Sequence, residues 1–427
     1  MKRKFTSYPV TNSKELKQKM LNWSTRFSIF CLLDDQQYNS SRSSFECILG
    51  AGTISTLRAS AGSSFIQLQE FVEHSKDWTF GHLGYDLKNE VEKLTSENPN
   101  GIGFPDLFFF VPEIVVILEK GELIIGVVDG SADDIYRQIS KSPSSASQSH
   151  TSGVTLKSRF NKEEYLETIK KLKHHILRGD CYEINFCQEF FAENTAIDPL
   201  SVYQKLIELS PNPFSAFYKL NNNYLLCASP ERFLKKVGNK IISQPIKGTA
   251  GRDLNNKETD KKNAEQLLHS PKERSENVMI TDLVRNDISK VATEGSVHVE
   301  ELFGIYSFPQ VHQMISTVGA TLATDDIGDI LKATFPMGSM TGAPKKRVME
   351  LIEQYERTKR GIFSGALGYI TPEGDFDFNV VIRSIMYNSE NRYLSIQAGS
   401  AITFNSNASD EYEECLLKIL AMKNAVT

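Results

Sequence analysis

Apolar residues in the first third of the chain come in short runs that are rich in aromatic and β-branched side chains. The runs lie at residues 27–33, 45–49, 108–118 and 123–128. Runs of this length and composition, bounded by turn residues, are typical of β-strands. We therefore predict that this part of the chain is mostly strand, with helices near residues 13–22 and 86–94.

The hydrophobic pattern changes after residue 160, where helices and strands come in blocks. A helical period appears at 162–178, and strand-like runs follow at 215–220, 224–228 and 233–237. Next come predicted helices at 260–291, 326–334 and 343–357, strands at 365–370, 377–387 and 393–398, and a closing helix at 410–426. Strands joined by turns, with helices in blocks, indicate an α+β fold rather than a parallel βαβ wrap.

A polar stretch separates the two patterns. Residues 141–153 read KSPSSASQSHTSG and carry six serines, so we expect an exposed or disordered connection. The predicted organisation is an N-terminal region at 1–140, this Ser-rich connection at 141–154 and a further region at 155–427. At 427 residues the chain could hold two or three domains or one large catalytic unit.

The composition argues against a nucleic-acid-binding protein and against a membrane protein. A net charge of −5 and the lack of a basic block argue against a nucleic-acid partner, because phosphate binding needs a positive surface. No stretch approaches the roughly 20 apolar residues that span a bilayer, so no membrane association is expected. The six cysteines are scattered without a CxxC pair, which indicates free thiols in a reducing cytoplasm.

One predicted helix begins with two glutamates beside its apolar face. Ser270 and Pro271 suit the N-cap and the first helical position, and Glu273 completes a capping box. Glu276 follows on the same stripe, where like charges are unfavourable unless a positive group lies between them. A cation site fits this spacing, and so does a capping glutamate with a solvated neighbour.

The last predicted helix carries a second pair of glutamates. Glu411, Glu414 and Lys418 share a stripe that borders the apolar face. Mg²⁺ prefers oxygen ligands and is often held by one or two carboxylates together with an anionic substrate, so the two pairs could form one magnesium site. Two unrelated solvated pairs remain the alternative on spacing alone.

Three further features could bind or transform an anion. Lys247 lies in the turn Pro-Ile-Lys-Gly-Thr, where it is either an exposed charge or, in a desolvated pocket, a nucleophile or base. Residues 338–345 precede a predicted helix, so their backbone N–H groups could hold a carboxylate or only cap the helix. Arg383 interrupts an apolar strand, and its anionic partner is either structural or a substrate carboxylate.

Six motifs in order resemble the chorismate-utilising enzymes, which include anthranilate synthase component I, aminodeoxychorismate synthase component I, isochorismate synthase and salicylate synthase. The motifs are GDCYEIN at 179–185, SPERF at 229–233, PIKGT at 245–249, DLVRND at 282–287, FPMGSMTGAPK at 335–345 and EYEE at 411–414. The resemblance covers 155–427 and, more loosely, the first 140 residues. It implies an α+β unit in which two antiparallel β-sheets pack face to face and are flanked by helices.

The PIKGT turn resembles the aminodeoxychorismate synthase members of this family, since anthranilate synthases carry alanine where this chain has Lys247. The resemblance implies that Lys247 attacks the chorismate ring as the hydroxyl leaves. Ammonia would then displace the lysine to give 4-amino-4-deoxychorismate, so that two easier steps replace one difficult substitution. Glu231 resembles the family's general acid for the departing hydroxyl.

The resemblance also implies how metal and substrate are held. The expected Mg²⁺ ligands are Glu276 and Glu414, with Glu273 and Glu411 beside them. The expected contacts to the enolpyruvyl carboxylate are Arg383, Tyr369 and Gly399. The residues expected elsewhere along the substrate are Ser339 and Lys418 at the ring carboxylate, and Gly248 and Thr249 beside Lys247.

Two departures from the family pattern bear on function. Gln313 stands where many members have a histidine that is associated, in anthranilate synthases, with pyruvate elimination. Its absence fits an enzyme that stops at aminodeoxychorismate. Residues 32–35 read Leu-Leu-Asp-Asp where related chains have the tryptophan-binding Leu-Leu-Glu-Ser, which argues against tryptophan binding.

The source of ammonia is expected to be another chain. The sequence lacks the Gly-x-Cys-x-Gly turn of glutamine amidotransferases, so we predict a separate glutaminase subunit. The alternatives within the family are anthranilate synthase and isochorismate synthase. An alternative of another class is a catalytically silent chorismate-binding protein, against which the retention of Lys247, Glu231 and four glutamates argues.

Overall fold

The computed structural model describes residues 3–36, 38, 45–144, 153–308 and 311–427. The first elements are β1 Lys4–Pro9, α1 Ser13–Ser24, β2 Ile29–Asp34, β3 Cys47–Ala51, β4 Ser55–Ala59, α2 Ser64–Ser75, β5 Thr79–Leu83, α3 Lys88–Glu92, β6 Leu107–Val111, β7 Ile114–Glu119, β8 Glu122–Val127 and α4 Ala132–Lys141. The next are β9 Lys157–Ser158, α5 Lys162–Leu177, β10 Glu183–Ala192, α6 Pro199–Leu209, β11 Phe214–Leu220, β12 Asn223–Ser229, β13 Arg232–Val237, β14 Lys240–Gln244, β15 Ile246–Gly251, α7 Lys257–His269 and α8 Pro271–Ser289. The last are β16 His298–Ser307, β17 Val311–Thr321, α9 Ile327–Thr334, β18 Gly342–Ala343, α10 Lys345–Tyr355, β19 Ala366–Ile370, β20 Phe376–Val380, β21 Ser384–Asn388, β22 Tyr393–Ile402 and α11 Ala408–Val426.

The strands form two antiparallel sheets. The first has the order β1-β8-β7-β3-β2-β11-β12-β21-β22-β10-β18, with β9 beside β10. The second has the order β15-β17-β14-β13-β20-β19-β5-β6-β4, with β16 beside β17. Strands from the two sides of the Ser-rich connection pair at β2–β11 in the first sheet and at β5–β19 in the second. Both sheets are therefore built from both parts of the chain.

The two sheets pack face to face on apolar side chains. One buried cluster joins Cys31, Tyr218 and Met386 of the first sheet to Phe80 and Phe378 of the second. A second cluster lies under α1, α4, α6 and α11, which cover the outer face of the first sheet. Helix α8 packs on β15 and β17 at the end of the second sheet. This arrangement confirms the predicted α+β fold of two face-packed sheets flanked by helices.

Two runs that the hydrophobic pattern predicts as single strands are each divided between the sheets. The run at 108–118 divides at Pro112 into β6 and β7, and the run at 377–387 divides into β20 and β21. Arg383 lies at the second division with a φ of 49°. Buried apolar residues lie on both sides of each division, so the pattern alone does not reveal the crossing.

The predicted helix at 260–291 is two helices that meet at Ser270. The hydroxyl of Ser270 accepts a hydrogen bond of 3.4 Å from the backbone N–H of Glu273, as expected of an N-cap. Pro271 has no N–H to continue α7, but it suits the first position of α8. The N-cap prediction is confirmed, whereas strands β10, β16 and β17 were not predicted.

The Ser-rich connection lies partly outside the described residues, which stop at 144 and resume at 153. Beyond it, the backbone N–H of Val154 donates a hydrogen bond of 3.2 Å to the carbonyl oxygen of Val426 at the end of α11. Within the described ranges, none of the helices combines the length and the apolar composition needed to cross a bilayer.

Candidate active site

Lys247 lies near the start of β15 with its amine inside the protein. Its side chain is 11% exposed, and Nζ donates a hydrogen bond of 2.8 Å to Oε1 of Glu183, the first residue of β10. Gly248 follows with a φ of 94°, a conformation that favours glycine, and a Cβ at this position would lie 3.1 Å from Oε2 of Glu273. The turn therefore brings Lys247 against the start of α8.

The two glutamates at the start of α8 are partly buried beside this turn. The side chain of Glu276 is 12% exposed, and its Oε1 has no hydrogen-bond partner among the described residues. Burial raises the pKa of Glu276 to about 7, helped by the charges of Glu183 and Glu273 and opposed by the charge of Lys247. Burial also raises the pKa of Glu273. Negative charge is thus crowded on this side of the amine.

Helix α11 brings its own two glutamates to the same place. Glu411 is buried, and Glu414 forms an ion pair of 2.7 Å with Lys418 on the next turn. Lys272 at the start of α8 lies close enough to glutamates of both helices for their charges to affect its pKa. Burial opposes its charge, but the carboxylates of both helices outweigh burial and raise its pKa. We call the following residues the carboxylate cluster: Glu183, Glu273, Glu276, Glu411 and Glu414.

The carboxylate cluster supplies the oxygen ligands that Mg²⁺ prefers, although the described side chains are not already arranged around a metal position. Among residues 3–36, 38, 45–144, 153–308 and 311–427, no three acidic, histidine or cysteine side chains are arranged to hold a metal. However, Oε1 of Glu276 and Oε2 of Glu183 are buried with no hydrogen-bond partner in that part of the chain. Bare buried carboxylate oxygens need a cation or a proton. Mg²⁺ commonly takes one or two carboxylates and completes its shell with water and substrate oxygens, so the donors fit it.

Glu231 is a buried acid close enough to Lys247 for the charge of the amine to affect it. It lies in the Ser-Pro-Glu turn between β12 and β13, is 5% exposed, and its Oε1 accepts a hydrogen bond of 2.6 Å from Oγ of Ser339. Burial raises the pKa of Glu231 to about 7, against the opposing effects of Ser339, Lys247 and Arg383. A fraction of Glu231 side chains is therefore protonated at neutral pH, as general acid catalysis requires.

Arg383 lies where the chain crosses from one sheet to the other. Its guanidinium makes no hydrogen bond or ion pair with the residues that the structure describes. Burial lowers the pKa of Arg383, and the charge of Glu231 opposes that effect. A half-buried guanidinium with five N–H donors open to a ligand can bind a carboxylate in a bidentate manner.

Tyr369 lies among aromatic side chains, unlike the carboxylate cluster and Glu231, which lie near Lys247. Its ring packs near those of Phe45, Trp78 and Phe80, at centroid distances of 5.7, 5.8 and 6.2 Å. It also lines a cavity whose wall includes residues of β2 and β11. Its expected contact to a carboxylate shared with Arg383 stays a prediction.

Gly399 and Thr249 differ in how close they lie to the carboxylate cluster. The carbonyl oxygen of Gly399 accepts a hydrogen bond of 2.8 Å from Nζ of Lys418, so Gly399 borders the cluster. A Cβ at this glycine would lie 2.2 Å from the carbonyl oxygen of Phe186, so β22 and β10 could not keep their spacing. Thr249 is exposed and pairs with Gln313, which is buried.

Glu183 is the residue of this site that the sequence analysis did not single out. One signal is visible in hindsight: β10 is a run of ten buried residues with a carboxylate at its first position. A carboxylate in a buried strand needs a cation or a proton. Its partner Lys247 is 64 residues away, and no spacing rule links the two.

Comparison with known proteins gives consistent findings. The chain matches the family of chorismate binding enzymes over residues 30–424. Aminodeoxychorismate synthase component 1 of Salmonella typhimurium is 35% identical over 341 residues, which are 79% of this chain and 74% of that protein. Anthranilate synthase component 1 of Thermus thermophilus is 32% identical over 357 residues, 81% of this chain and 76% of that protein. The crystal structure of anthranilate synthase component I from Streptococcus pneumoniae superposes with a TM-score of 0.76 at 26% identity, and covers 91% of this chain and 94% of that one.

Proposed function

The chain belongs to the family of chorismate-binding enzymes, and from this premise we propose that it catalyses the amination of chorismate. In this reaction ammonia replaces the ring hydroxyl and gives 4-amino-4-deoxychorismate, the precursor of para-aminobenzoate in folate biosynthesis. The similarity to aminodeoxychorismate synthase component 1 supports this branch of the family. The observation that carries the proposal is the amine of Lys247, which is 11% exposed, paired with Glu183 of the carboxylate cluster and electrostatically coupled to the acid Glu231.

Lys247 is the proposed nucleophile. Its neutral amine forms a bond to the ring carbon that carries the hydroxyl, and the carbon–oxygen bond breaks. Ammonia then forms a bond to the same carbon, and the lysine leaves with the bonding electron pair as a free amine. The covalent adduct divides one difficult substitution into two easier ones.

Glu231 is the proposed general acid. The departing hydroxyl takes the proton of Glu231 and leaves as water, while Glu231 becomes a carboxylate. A pKa of about 7 keeps part of this group protonated at neutral pH and still lets it release the proton. The hydrogen bond from Ser339 holds the carboxyl group in one orientation.

Chorismate carries two carboxylates, and the site offers a different kind of receptor for each. The open guanidinium of Arg383 would bind the enolpyruvyl carboxylate, with Tyr369 and Gly399 as the further predicted contacts. The ring carboxylate would lie toward Ser339 and Lys418. When bound, Mg²⁺ would neutralise the charge of the ring carboxylate. The residues that would hold the ion are Glu276 and Glu414, with Glu273 and Glu411 beside them.

A second protein is the proposed source of ammonia. The relatives named component 1 imply a partner subunit, and the chain has no amidotransferase nucleophile turn of its own. We expect a glutaminase to release ammonia from glutamine at an interface, with free ammonia as a weaker source. All six cysteines are buried and free, which supports a reducing cytoplasm as the compartment.

Identification of the product tests the proposed function. The purified chain is incubated with chorismate, Mg²⁺ and an ammonium salt, with and without an aminodeoxychorismate lyase. We expect para-aminobenzoate only after the lyase is added, and a faster reaction with glutamine when the glutaminase subunit is present. Anthranilate formed without the lyase would refute the assigned branch. Chorismate that is bound but not consumed would instead favour a silent binding protein.

A further inference from the structure

Glu183 and Lys247 form a buried ion pair with an unusual distribution of hydrogen bonds. The side chains are 1% and 11% exposed, and one hydrogen bond of 2.8 Å joins Nζ to Oε1. The other oxygen of Glu183, Oε2, is buried and has no hydrogen-bond partner among the described residues. A carboxylate that accepts several hydrogen bonds is stabilised in its charged form. Glu183 accepts one, from the amine of Lys247, so its carboxylate and that amine are each other's nearest proton acceptor and donor.

The resting state of Lys247 poses a problem for the proposed chemistry. Burial would lower the pKa of Lys247, but Nζ lies 2.8 Å from Oε1 of Glu183, and the charge of that carboxylate raises the pKa. The amine is therefore held as an ammonium group, which has no lone pair and cannot attack a carbon atom. A proton acceptor must lie within hydrogen-bond reach of Nζ.

The backbone of Glu183 is fixed tightly enough to position such an acceptor. It is paired with Ala343 of β18, while the next residue of β10 is also paired with β22. Gly342 has a φ of 146°, and a Cβ there would lie 2.1 Å from the carbonyl oxygen of Glu183. Close contact between these backbones leaves Glu183 little freedom, so its side chain is held within hydrogen-bond distance of Lys247.

Building on the proposed function, we propose that Glu183 positions Lys247 and takes the proton that its ammonium group must lose before the amine attacks the ring. One Nζ–H bond breaks, its electron pair stays on nitrogen as the lone pair, and the proton forms a bond to Oε1 of Glu183. The buried pair changes from two opposite charges to two neutral groups, so no net charge has to leave the site. When ammonia displaces the lysine, the freed amine takes the proton back from Glu183.

The test compares Glu183→Gln with the wild-type enzyme in the amination of chorismate by ammonium salts. Glutamine keeps the size of the side chain and one acceptor oxygen, but it cannot take the proton. We expect kcat near pH 7 to fall by about 10²-fold or more, with little change in KM for chorismate. The ratio of the variant's rate to the wild-type rate should rise with pH, because solvent then removes the proton from Lys247, while the loss of the protonated form of Glu231 slows both enzymes equally. Glu276, Glu414 and Glu231 also face Lys247 and are unchanged in this comparison.

A matched variant and a second measurement separate this role from a structural one. Glu193→Gln changes an exposed glutamate just beyond the other end of β10 and should leave the rate and its pH profile unchanged. Competitive acetylation of Lys247, followed by mass spectrometry across a pH series, reports the charge state of the amine without any turnover. Its midpoint should move to lower pH in Glu183→Gln. A variant with the wild-type rate, pH profile and labelling midpoint would overturn the proposal.

Two further variants keep the outcomes distinguishable. If Glu183→Gln does not fold, Glu183→Asp decides, because a shorter carboxylate should give a slower enzyme with the wild-type pH profile. A Glu183→Asp rate that recovers only at high pH would contradict the proposal. Lys247→Ala is assayed in parallel. Full activity of Lys247→Ala would refute both the covalent chemistry and the role of Glu183. If Lys247→Ala is inactive and Glu183→Gln is fully active, the role of Glu183 alone is refuted.

Discussion

Two arginines in this protein, the buried Arg360 and the half-buried Arg383, have opposite hydrogen-bonding states. Arg360 directs five donor contacts to five acceptors: both carboxylate oxygens of Glu356, the carbonyl oxygens of Met340 and Asn185, and the hydroxyl of Ser364. Arg383 makes no such contact within the described residues. A guanidinium whose donors are all used has no capacity for a ligand. Arginine therefore has a structural role at position 360, where its donors are used, and can bind a ligand at position 383, where they are not.

Two sets of buried or partly buried carboxylates, Glu356 beside Arg360 and the carboxylate cluster beside Lys247, differ in the same way. Glu356 accepts hydrogen bonds from Arg360 and from the backbone N–H of Cys187, so both oxygens are used. In the carboxylate cluster one oxygen of Glu183 and one of Glu276 are buried and unused. Each unsatisfied buried group costs about 1–3 kcal/mol, which is tolerable where a ligand restores the missing contact. We call the first region the closed network and the second the open site.

The largest effect is expected from Lys247→Ala in the open site. Loss of the amine removes the nucleophile, so kcat for amination should fall by about 10³-fold or more while the fold stays intact. Mass spectrometry of the wild-type enzyme quenched during turnover should show an adduct on Lys247. Lys88→Met, at a buried lysine far along the chain from the site, serves as the control and should keep the rate per folded molecule. An unmodified Lys247 together with full activity of the alanine variant would rule out the covalent role.

Glu231→Gln should give the next largest effect. An amide cannot donate a proton to the leaving hydroxyl, so kcat should fall by about 10²–10⁴-fold. The pKa of about 7 also predicts a pH profile for the wild type. Only the protonated form acts as the acid, and it disappears as pH rises through 7, so the rate should decrease above that pH. The variant should lose this descending limb, and its persistence would assign the limb to another group.

A single substitution made in both regions tests the comparison directly. Arg383→Met removes a cation without partners, so KM for chorismate should rise by roughly 30-fold, equivalent to about 2 kcal/mol, and thermal stability should be unchanged or higher. Arg360→Met removes a cation with five contacts and should destabilise the fold by about 3–5 kcal/mol, while folded molecules still bind chorismate. Steady-state kinetics and thermal unfolding measured by circular dichroism report the two effects. Equal losses of stability in both variants would show that Arg383 is structural too.

The sequence predicted the parts of this structure that depend on neighbouring residues. Ser270 and Pro271 mark the start of α8 because an N-cap and a first-turn proline act within one helical turn. The glutamate pairs of α8 and α11 were visible because a helix repeats its face every three to four residues. The α+β class followed from blocks of both patterns.

The hydrophobic pattern of the sequence could not predict contacts that depend on the tertiary fold. Arg383 interrupts the apolar run, but the pattern does not show that the chain crosses between sheets there, because buried apolar residues such as Val381 and Ile385 lie on both sides. The pairing of Glu183 with Lys247 joins two strands of different sheets. Residues 163–167 near the start of α5 include glutamates that look equivalent to those of α8, and burial alone separates the two sets.

The smallest expected effect is a change in the Mg²⁺ requirement, and we compare it between two glutamates of the open site. Glu276 has a free buried oxygen, whereas Glu414 is 44% exposed and already paired with Lys418. Each substitution by glutamine should raise the Mg²⁺ concentration that gives half-maximal rate by about 10-fold or more, with the greater rise in Glu276→Gln because that oxygen has no hydrogen-bond partner among the described residues and lies 4.0 Å from Lys272. Glu413→Gln, next to Glu414 but exposed and paired with Lys162, should leave the requirement unchanged. A Mg²⁺ dependence that is the same in all three variants would remove both glutamates as ligands, since a carboxylate that binds the ion cannot be neutralised without weakening it.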